Sequence, residues 1–544
     1  MVSMVLALFT VFAGGVNPAQ VMVASAKAKS ARSMPVQPKP PVPGLHDFAP
    51  LSSITVTRTG PPDATFIRAE SKRNSPLVGS NKWHGFLQQS GRNIIITLPV
   101  DVAVYSVSIQ MEQIPQIGVI YPDHVDFEVM ENGNWYEADN VPSPIATWNK
   151  QDTIETITGK YGYIKAKQLL IHFPVSGWVF ARQIHVWGQN ASQSTVQTLP
   201  QLPPAPQEFG SPMTTADSRD LGIKNMLLVY NDGTTSMGTW SVSDFLPMVG
   251  YRTQQGQFEG RMFDTMLFLP TGKLANTQAS WYGFLSELFS PGTQLDALNQ
   301  AVGQVNSALA ATNPSAATYK EKVVIALPYP AYGSPNWGQI NGKNISFEPT
   351  KYDAGAVKSR TAAINWYLQM LMNAWDGANY SNLQLVGVYW LSERINYRTP
   401  DDPQLVRSVS AVSSQYGLPL LWIPFYDAGG IDSWPSYGFN AAWLQPNYIE
   451  FGSQKDIQRL KSAEQLATDT GMGIEIEAPW RVASDANVRS LYLNMLTTME
   501  QDGMAGNVSH AYYAGSKVLI TAANSSNSAV RQVYNATYQF MQHQ

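Results

Sequence analysis

Eight apolar runs recur through the last 320 or so positions of the chain, and their spacing sets the first structural expectation. They are NMLLVYND (225–232), FDTMLFLP (263–270), VVIALPYP (323–330), LVGVYWLSE (385–393), LLWIPFYD (420–427), AAWLQPNY (441–448), GIEIEAPW (473–480) and VSHAYYAG (508–515). Longer segments separate them and often carry helical spacing, as in Ala356–Trp375 and Asp456–Thr470. Eight strands, each followed by a helix, predict an α/β (β/α)8 TIM barrel over residues 213–544, with room for inserted loops before the third and fourth strands.

The pattern differs upstream. NIIITLPV, VYSVSIQM, VDFEVMENGNWYEA, KQLLIHFP and VFARQIHVWG are short alternating runs divided by turns, and Val125, Phe127 and Val129 alternate with polar neighbours. ENGNW is a hairpin signal, because Asn-Gly supplies the positive φ angles of a two-residue turn. Residues 50–190 are therefore expected to form an antiparallel β-sandwich, and the whole chain is multidomain.

Two proline-rich stretches bracket this module. KAKSARSMPVQPKPPVPGLHDFA (27–49) reads as a disordered spacer and ASQSTVQTLPQLPPAPQEFGSP (191–212) as a linker. Residues 1–26 begin with MVSMVLALFTVFAGG and end in Ala24-Ser25-Ala26, an apolar core and a small-residue cleavage site. This reads as a signal peptide, although the usual basic start is missing, and it predicts a secreted or cell-surface protein. No later segment approaches the roughly 20 apolar residues of a membrane span, so none is expected after signal removal.

Composition narrows the chemistry. Hydrophobic residues make up 44% of the chain, but charged residues only 14%, with a net charge of −4. No basic stripe suggests a nucleic-acid partner. The absence of cysteine excludes disulfides, thiolate metal sites and cysteine nucleophiles. Of the histidines His46, His84, His124, His172, His185, His510 and His543, only His510 lies near a barrel strand end. A His-rich zinc site and a Ser-His-Asp triad are therefore not expected. Neither a P-loop nor GxGxxG is present, so no nucleotide cofactor is expected, nor any other cofactor. An all-oxygen calcium site stays open.

In such a barrel, chemistry sits where strands end. Gly387, Tyr389, Leu391 and Glu393 share one strand face, and so do Gly473, Glu475 and Glu477. If both faces point inward, carboxylates of the fourth and seventh strands converge over the mouth. Glycoside hydrolysis needs such a pair, one protonated and one ionised. Glu393 is the expected proton donor. Glu477 is the expected nucleophile because it lies nearer the strand tip, with Glu475 as its alternative. The competing readings are a solvated loop position for Glu393 and, for the other two, structural ion pairs with Arg394, Arg481 or Lys517.

Asp232, Asp264, Asp427, Gln445 and Asn447 are candidate substrate contacts. Tyr329, Tyr389, Tyr426, Tyr448 and Trp480, with Tyr230, Trp337 and Trp434 nearby, are aromatic candidates for packing on sugar rings. About half of these aromatics are expected in the core instead.

GVYWLSE, LLWIPFYDAGG, YGFNAAWLQPNY and GMGIEIE resemble a family of secreted bacterial proteins, domain of unknown function 4855, over about residues 223–540. The resemblance implies a glycosidase-like barrel and imports no activity. The two strand-end glutamate positions also resemble the retaining glycosidase clan, whose donor usually follows Asn; here Ser392 stands there. YIKAKQLLIHFPVSGWVFARQIHVWG resembles the closing strands of a discoidin-type, jelly-roll-like sandwich. That resemblance implies a carbohydrate-binding face using loop residues such as Trp83, His84 and Tyr121, with Trp135, Trp178 and Trp187 in the core.

The combined expectation is a secreted bacterial glycoside hydrolase acting on a polysaccharide of biofilm, capsule or cell wall. The alternative is a non-catalytic glycan-binding or cell-envelope protein with a degenerate barrel. The processing expectation is directly testable. N-terminal sequencing of protein secreted by its native host should find a mature chain starting near Lys27, whereas Met1 retained in the medium contradicts it.

Overall fold

Alternation along eight short strands closes a barrel. In the computed structural model these are β1 Asn225–Asn231, β2 Thr265–Pro270, β3 Glu321–Leu327, β4 Leu383–Trp390, β5 Leu420–Trp422, β6 Ala441–Leu444, β7 Gly473–Ala478 and β8 His510–Ala514. Each pairs in parallel with the next, and β8 pairs back to β1. The structure describes residues 39–542 apart from 61–63, 89, 144–152, 192–209, 217–220, 233–234, 236, 397–398 and 450–456. The expected signal peptide, most of the spacer and most of the linker lie outside the described residues.

One face of each strand fills the barrel. Met226, Leu228, Leu267, Leu269, Val324, Ala326, Tyr389, Leu421, Ile423, Ala441, Trp443 and Ala511 form a single apolar cluster. The alternate residues, such as Leu227, Val229, Phe268, Val388, Trp390, Ile474 and Ile476, are buried as well. Burial on both faces explains why these runs read as continuously apolar.

Helices follow most strands, among them Gln294–Leu309 after β2, Val357–Ala378 after β3, Asp402–Gln415 after β4, Ile457–Thr470 after β6 and Ala486–Gln501 after β7. After β5 the chain forms a 3-10 turn, Ile431–Tyr437, where a helix was expected. Pro424, Gly429, Gly430, Pro435 and Gly438 punctuate that stretch and break helical propagation.

The floor of the barrel depends on a close approach. Trp443 points inward and its Nε1 donates to Ser509 Oγ at 3.0 Å, whose hydroxyl donates to the Ile223 carbonyl at 2.6 Å. A Cβ on Gly473 would fall 2.4 Å from Trp443 Cδ1 and 2.3 Å from the Ser509 carbonyl oxygen. Only glycine leaves room for the indole there.

Asp264, expected as a substrate contact, lies at the N-terminal end of β2, away from the mouth. Its carboxylate accepts from the backbone N–H of Asn225 at 2.8 Å and from Lys322 Nζ at 3.0 Å. It ties together the lower ends of β1, β2 and β3, and residues at that end of a barrel serve stability.

The upstream module is an antiparallel sandwich. NIIITLPV and VYSVSIQM form one bent strand, Arg92–Gln113. Its first half pairs with Ser53–Arg58 and its second with Trp178–Asn190, so one strand serves two layers through register shifts. The Asn132-Gly133 turn has φ angles of 51° and 84° and joins strands His124–Glu131 and Asn134–Pro142. Tyr121, expected at a binding face, belongs to the apolar core, and its hydroxyl donates to Thr153 Oγ1 at 3.0 Å. Trp187, expected in that core, is buried on the opposite face, since its neighbour Val186 is the core residue.

The chain divides into two compact units. The first is Met1–Glu208 with Asn396–Asp401 and Asp427–Ser433, and the second comprises Phe209–Ile395, Asp402–Tyr426 and Trp434–Gln544. No helix among the described residues is long and apolar enough to cross a membrane.

The floor packing makes a quantitative prediction. Gly473→Ala forces the Trp443 ring or strand β8 to shift and should cost about 1–3 kcal/mol, the usual range for overpacking. Urea unfolding of the two proteins checks this; an unchanged midpoint contradicts the packing account.

Candidate active site

Glu393 stands three residues beyond the end of β4, on a loop whose backbone is fixed on both sides. Trp422 Nε1 donates to the Ser392 carbonyl at 2.8 Å, and Ser392 Oγ donates to the Arg394 carbonyl at 2.9 Å. The Phe425 N–H donates to the carbonyl of Glu393 itself at 3.1 Å. Arg394 lays its guanidinium over the Phe425 ring, 4.6 Å from its centre. Glu393 is half-buried. Burial raises its pKa, and a hydrogen bond from the Gln445 side chain and the nearby Arg394 charge oppose part of that rise.

Strand period 2 brings Tyr389 and Glu475 to the same mouth. Glu475 is 4% exposed and Tyr389 3%. The Tyr389 hydroxyl is pushed well above the usual tyrosine range by burial, then by the charges of Glu393 and Glu475. Tyr230, at the end of β1, is pushed the same way by burial, then by Tyr513, Glu475 and Glu393. Tyr230 and Tyr513 meet edge to face at 5.9 Å. Ends of β1, β4, β7 and β8 thus gather two carboxylates and three tyrosines. The Tyr389 and Tyr230 phenols are held protonated, so each can donate a hydrogen bond.

Glu477, the expected nucleophile, is engaged elsewhere. It is fully buried, and its Oε2 accepts from the backbone N–H of Tyr448 at 2.8 Å and of Ile449 at 3.0 Å. Burial pushes its pKa up to about 7, against the opposing effect of these amides. Its Oε1 is buried without a partner, which suits a protonated acid. Glu477 thereby holds the loop that follows β6.

That loop carries Gln445 and Asn447, expected as substrate contacts. Both are buried. Asn447 adopts a left-handed φ of 47°; its Oδ1 accepts from the Tyr426 N–H at 3.0 Å, and its Nδ2 donates to Gln445 Oε1 at 3.2 Å. Gln445 Nε2 donates to the Ile423 carbonyl at 3.1 Å. With its oxygen occupied by Asn447, the Gln445 amide directs its N–H groups toward Ile423 and Glu393. These two residues orient the acid.

The remaining candidates scatter. Asp232 closes its own turn, accepting from Thr235 N at 2.9 Å and Thr235 Oγ1 at 2.9 Å, and Gly238 is tight against it. Tyr329 donates to Asp402 Oδ1 at 2.7 Å and accepts from Arg360 at 3.0 Å, within the fully buried Arg360–Asp402 pair. Tyr426 is 2% exposed, beneath the Arg459 guanidinium at 3.4 Å, and Tyr448 is also buried. Trp337 and Trp434 are core residues. Asp427 falls in the segment grouped with the first unit. Trp480, just past β7, is 42% exposed and offers an open ring. Tyr513 was not anticipated; it shares a strand face with Ala511, but VSHAYYAG is the least strand-like of the eight runs. Among the described residues, no cluster of His, Asp and Glu is arranged to hold a metal ion.

The family model for a domain of unknown function (DUF4855) matches residues 225–539, more than half of the chain and all eight barrel strands. The chain belongs to the DUF4855 family. No curated protein matches the sequence. Among solved structures, this DUF4855 chain is similar to the CBM22-1–GH10 modules of Clostridium thermocellum endo-1,4-β-D-xylanase 10B, complexed with xylohexaose. That similarity has 10% identity and a TM-score of 0.33, covering 91% of this chain and 95% of that one. A family 32 carbohydrate-binding module from C. perfringens in complex with galactose has 13% identity and a TM-score of 0.19, covering 26% and 98%. The C-terminal domain of a Bacteroides fragilis chitobiase has 16% identity and a TM-score of 0.20, covering 26% and 98%.

Glu477 gives the site a pH signature. Its pKa rises on folding from about 4.5 to about 7, so the folded state binds the proton more tightly. Its contribution to stability is present below pH 4.5 and is lost as pH rises through about 7. Glu477→Gln keeps an oxygen for the two amides and removes the titration. Between those pH values wild type should lose up to about 3 kcal/mol relative to this variant. Urea unfolding at several pH values measures the difference; parallel profiles contradict the assignment.

Proposed function

We propose that this DUF4855 chain is an extracellular glycoside hydrolase. In this reading Glu393 is the proton donor and Glu475, in place of Glu477, the nucleophile. Support comes from position: Glu393 follows β4, Glu475 stands on β7, and both lie near enough to Tyr389 and Tyr230 to act on them.

Burial keeps a proton on Glu393 up to a higher pH than for a free carboxyl, and Gln445 aims that carboxyl. The proton passes to the glycosidic oxygen as its bond to the anomeric carbon breaks. Glu475 attacks that carbon, forming a glycosyl-enzyme ester. The deprotonated Glu393 then takes a proton from water, which attacks the same carbon and releases Glu475. Neutral Tyr389 and Tyr230 supply hydrogen-bond donors that orient the Glu475 carboxylate and hydroxyls of the sugar. The exposed ring of Trp480 suits stacking by a sugar in the approach to the site. A polysaccharide of biofilm, capsule or cell wall fits an exported protein with this site.

Screening against a polysaccharide panel with a reducing-end readout supplies the substrate, and three variants then test the roles. Glu393→Gln should lower turnover by about 10² to 10⁴, and less for substrates with good leaving groups, which need little protonation. Glu475→Gln should abolish turnover on both substrate kinds. Glu477→Gln should stay within a few-fold of wild type. Full activity of Glu475→Gln, or its loss only in Glu477→Gln, overturns the assignment. Binding without cleavage of any glycan supports the non-catalytic alternative.

A further inference from the structure

The sandwich has a second face that its core does not use. Ser106, Ser108 and Gln110 on strand Arg92–Gln113 lie between Thr156 and Thr158 on one side and Gln183, His185 and Trp187 on the other. These side chains line a groove of about 320 Å³, at the lower end of the range for ligand sites. An outward sheet face with this shape and lining is unusual in three ways.

First, three recessed polar groups on it are uncommitted, whereas Gln110 accepts from Arg182 Nε at 2.6 Å and Gln183 Nε2 donates to Asn81 Oδ1 at 2.6 Å. Ser106 is 3% exposed and Ser108 6%. Among the described residues neither hydroxyl has a hydrogen-bond partner, and the same holds for the Trp187 indole N–H. None of the three is a buried unpaired atom, so each still reaches the groove and can bond a ligand there.

Second, the backbone is distorted to present them. The pairing of Ser108 with His185 and of Gln110 with Arg182 leaves an extra residue on the outer strand, a β-bulge. Gln183 sits in it with a left-handed φ of 52°. Core residues on that strand are Val179 and Ala181 before the bulge and Ile184 and Val186 after it. The bulge thus shifts the alternation so that Gln183, His185 and Trp187 all face the groove. Bulges of this kind re-aim side chains beside functional sites.

Third, apart from Lys39 the lining is uncharged and bifunctional. His185 Nδ1 is held by Asp47 Oδ2 at 2.7 Å, which leaves its Nε2 as the ring atom free to accept. Hydroxyls, amides and one imidazole acceptor suit a ligand dense in hydroxyl groups. The Trp187 ring supplies an apolar patch beside them. No acidic side chain lines the groove.

From these features we infer that this sheet-face groove binds a neutral oligosaccharide chain, and that it, rather than the loop residues Trp83 and His84, is the carbohydrate site of the sandwich. The inference deepens the glycan reading above and rests on it for the choice of ligand class. The loop residues are already engaged: Arg182 lies over the Trp83 ring at 3.9 Å, and His84 Nδ1 bonds to the Ser75 carbonyl at 2.7 Å.

The test is affinity electrophoresis of the full chain in native gels containing soluble xylan, mixed-linkage β-glucan, galactan, pullulan or glycol chitin. Gln110→Ala/Thr158→Ala removes two groove side chains that are half-buried and exposed, so the fold should survive; circular dichroism verifies this. Trp83→Ala is the loop control. The inference predicts retardation by at least one polysaccharide, with Kd raised about tenfold or more in the double variant and unchanged in Trp83→Ala. Full retardation of the double variant, loss only in Trp83→Ala, or retardation by none of the polysaccharides overturns it. A wild-type chain that binds through the groove but cleaves nothing leaves this inference standing and removes the hydrolase reading.

Discussion

A carboxylate inside a parallel barrel must either find hydrogen-bond donors or give up its charge, because burial removes the water that would stabilise it. This constraint separates the glutamates of the barrel into distinct jobs. Glu321, fully buried at the start of β3, has its pKa pushed well above the usual carboxylate range, first of all by burial. Glu477, equally buried, takes two backbone amides on one oxygen. Glu393 and Glu475 lie at the C-terminal end of the barrel, where both influence Tyr389 and Tyr230. Position along the strand, more than residue type, sets the role.

The jobs are connected. Glu477 fixes the loop after β6, Asn447 turns that loop through a left-handed residue, and Gln445 passes the orientation to Glu393. A fully buried acid therefore contributes to the geometry around Glu393. The opposite end of the barrel has its own fixed points, with Asp264 tying three strands and Gly473 yielding space to Trp443. Rigid elements below and ordered loops above are what a preorganised site requires.

Much of this was legible in the sequence. Six of the eight barrel runs contain their strands, the third and fourth strands begin two residues before their runs, and the Asn132-Gly133 hairpin lies where its turn chemistry placed it. Period 2 identified Glu475 and Glu477 as sharing a face, but it could not rank them. That ranking depends on where the neighbouring β6 loop folds back, a tertiary fact carried by Tyr448 and Ile449. Asp264 misled because it adjoins an apolar run, at the strand's beginning rather than its end. In the sandwich the bulge at Gln183 inverts the face of Trp187, and a one-residue slip of this kind is invisible to a simple alternation count. The three mouth tyrosines were partly visible, since Tyr389 and Tyr230 end clear strands while Tyr513 ends a faint one.

The central claim is that Glu393 and Glu475 flank the bond to be broken while Glu477 serves the loop. A crystal structure of the Glu393→Gln variant with an oligosaccharide of its substrate bound tests this most directly. The account predicts the glycosidic oxygen beside residue 393, the anomeric carbon facing the Glu475 carboxylate, and Glu477 still bonded to the amides of Tyr448 and Ile449 without touching sugar. A sugar ring in contact with Glu477, or seated in the barrel away from Glu475, contradicts it.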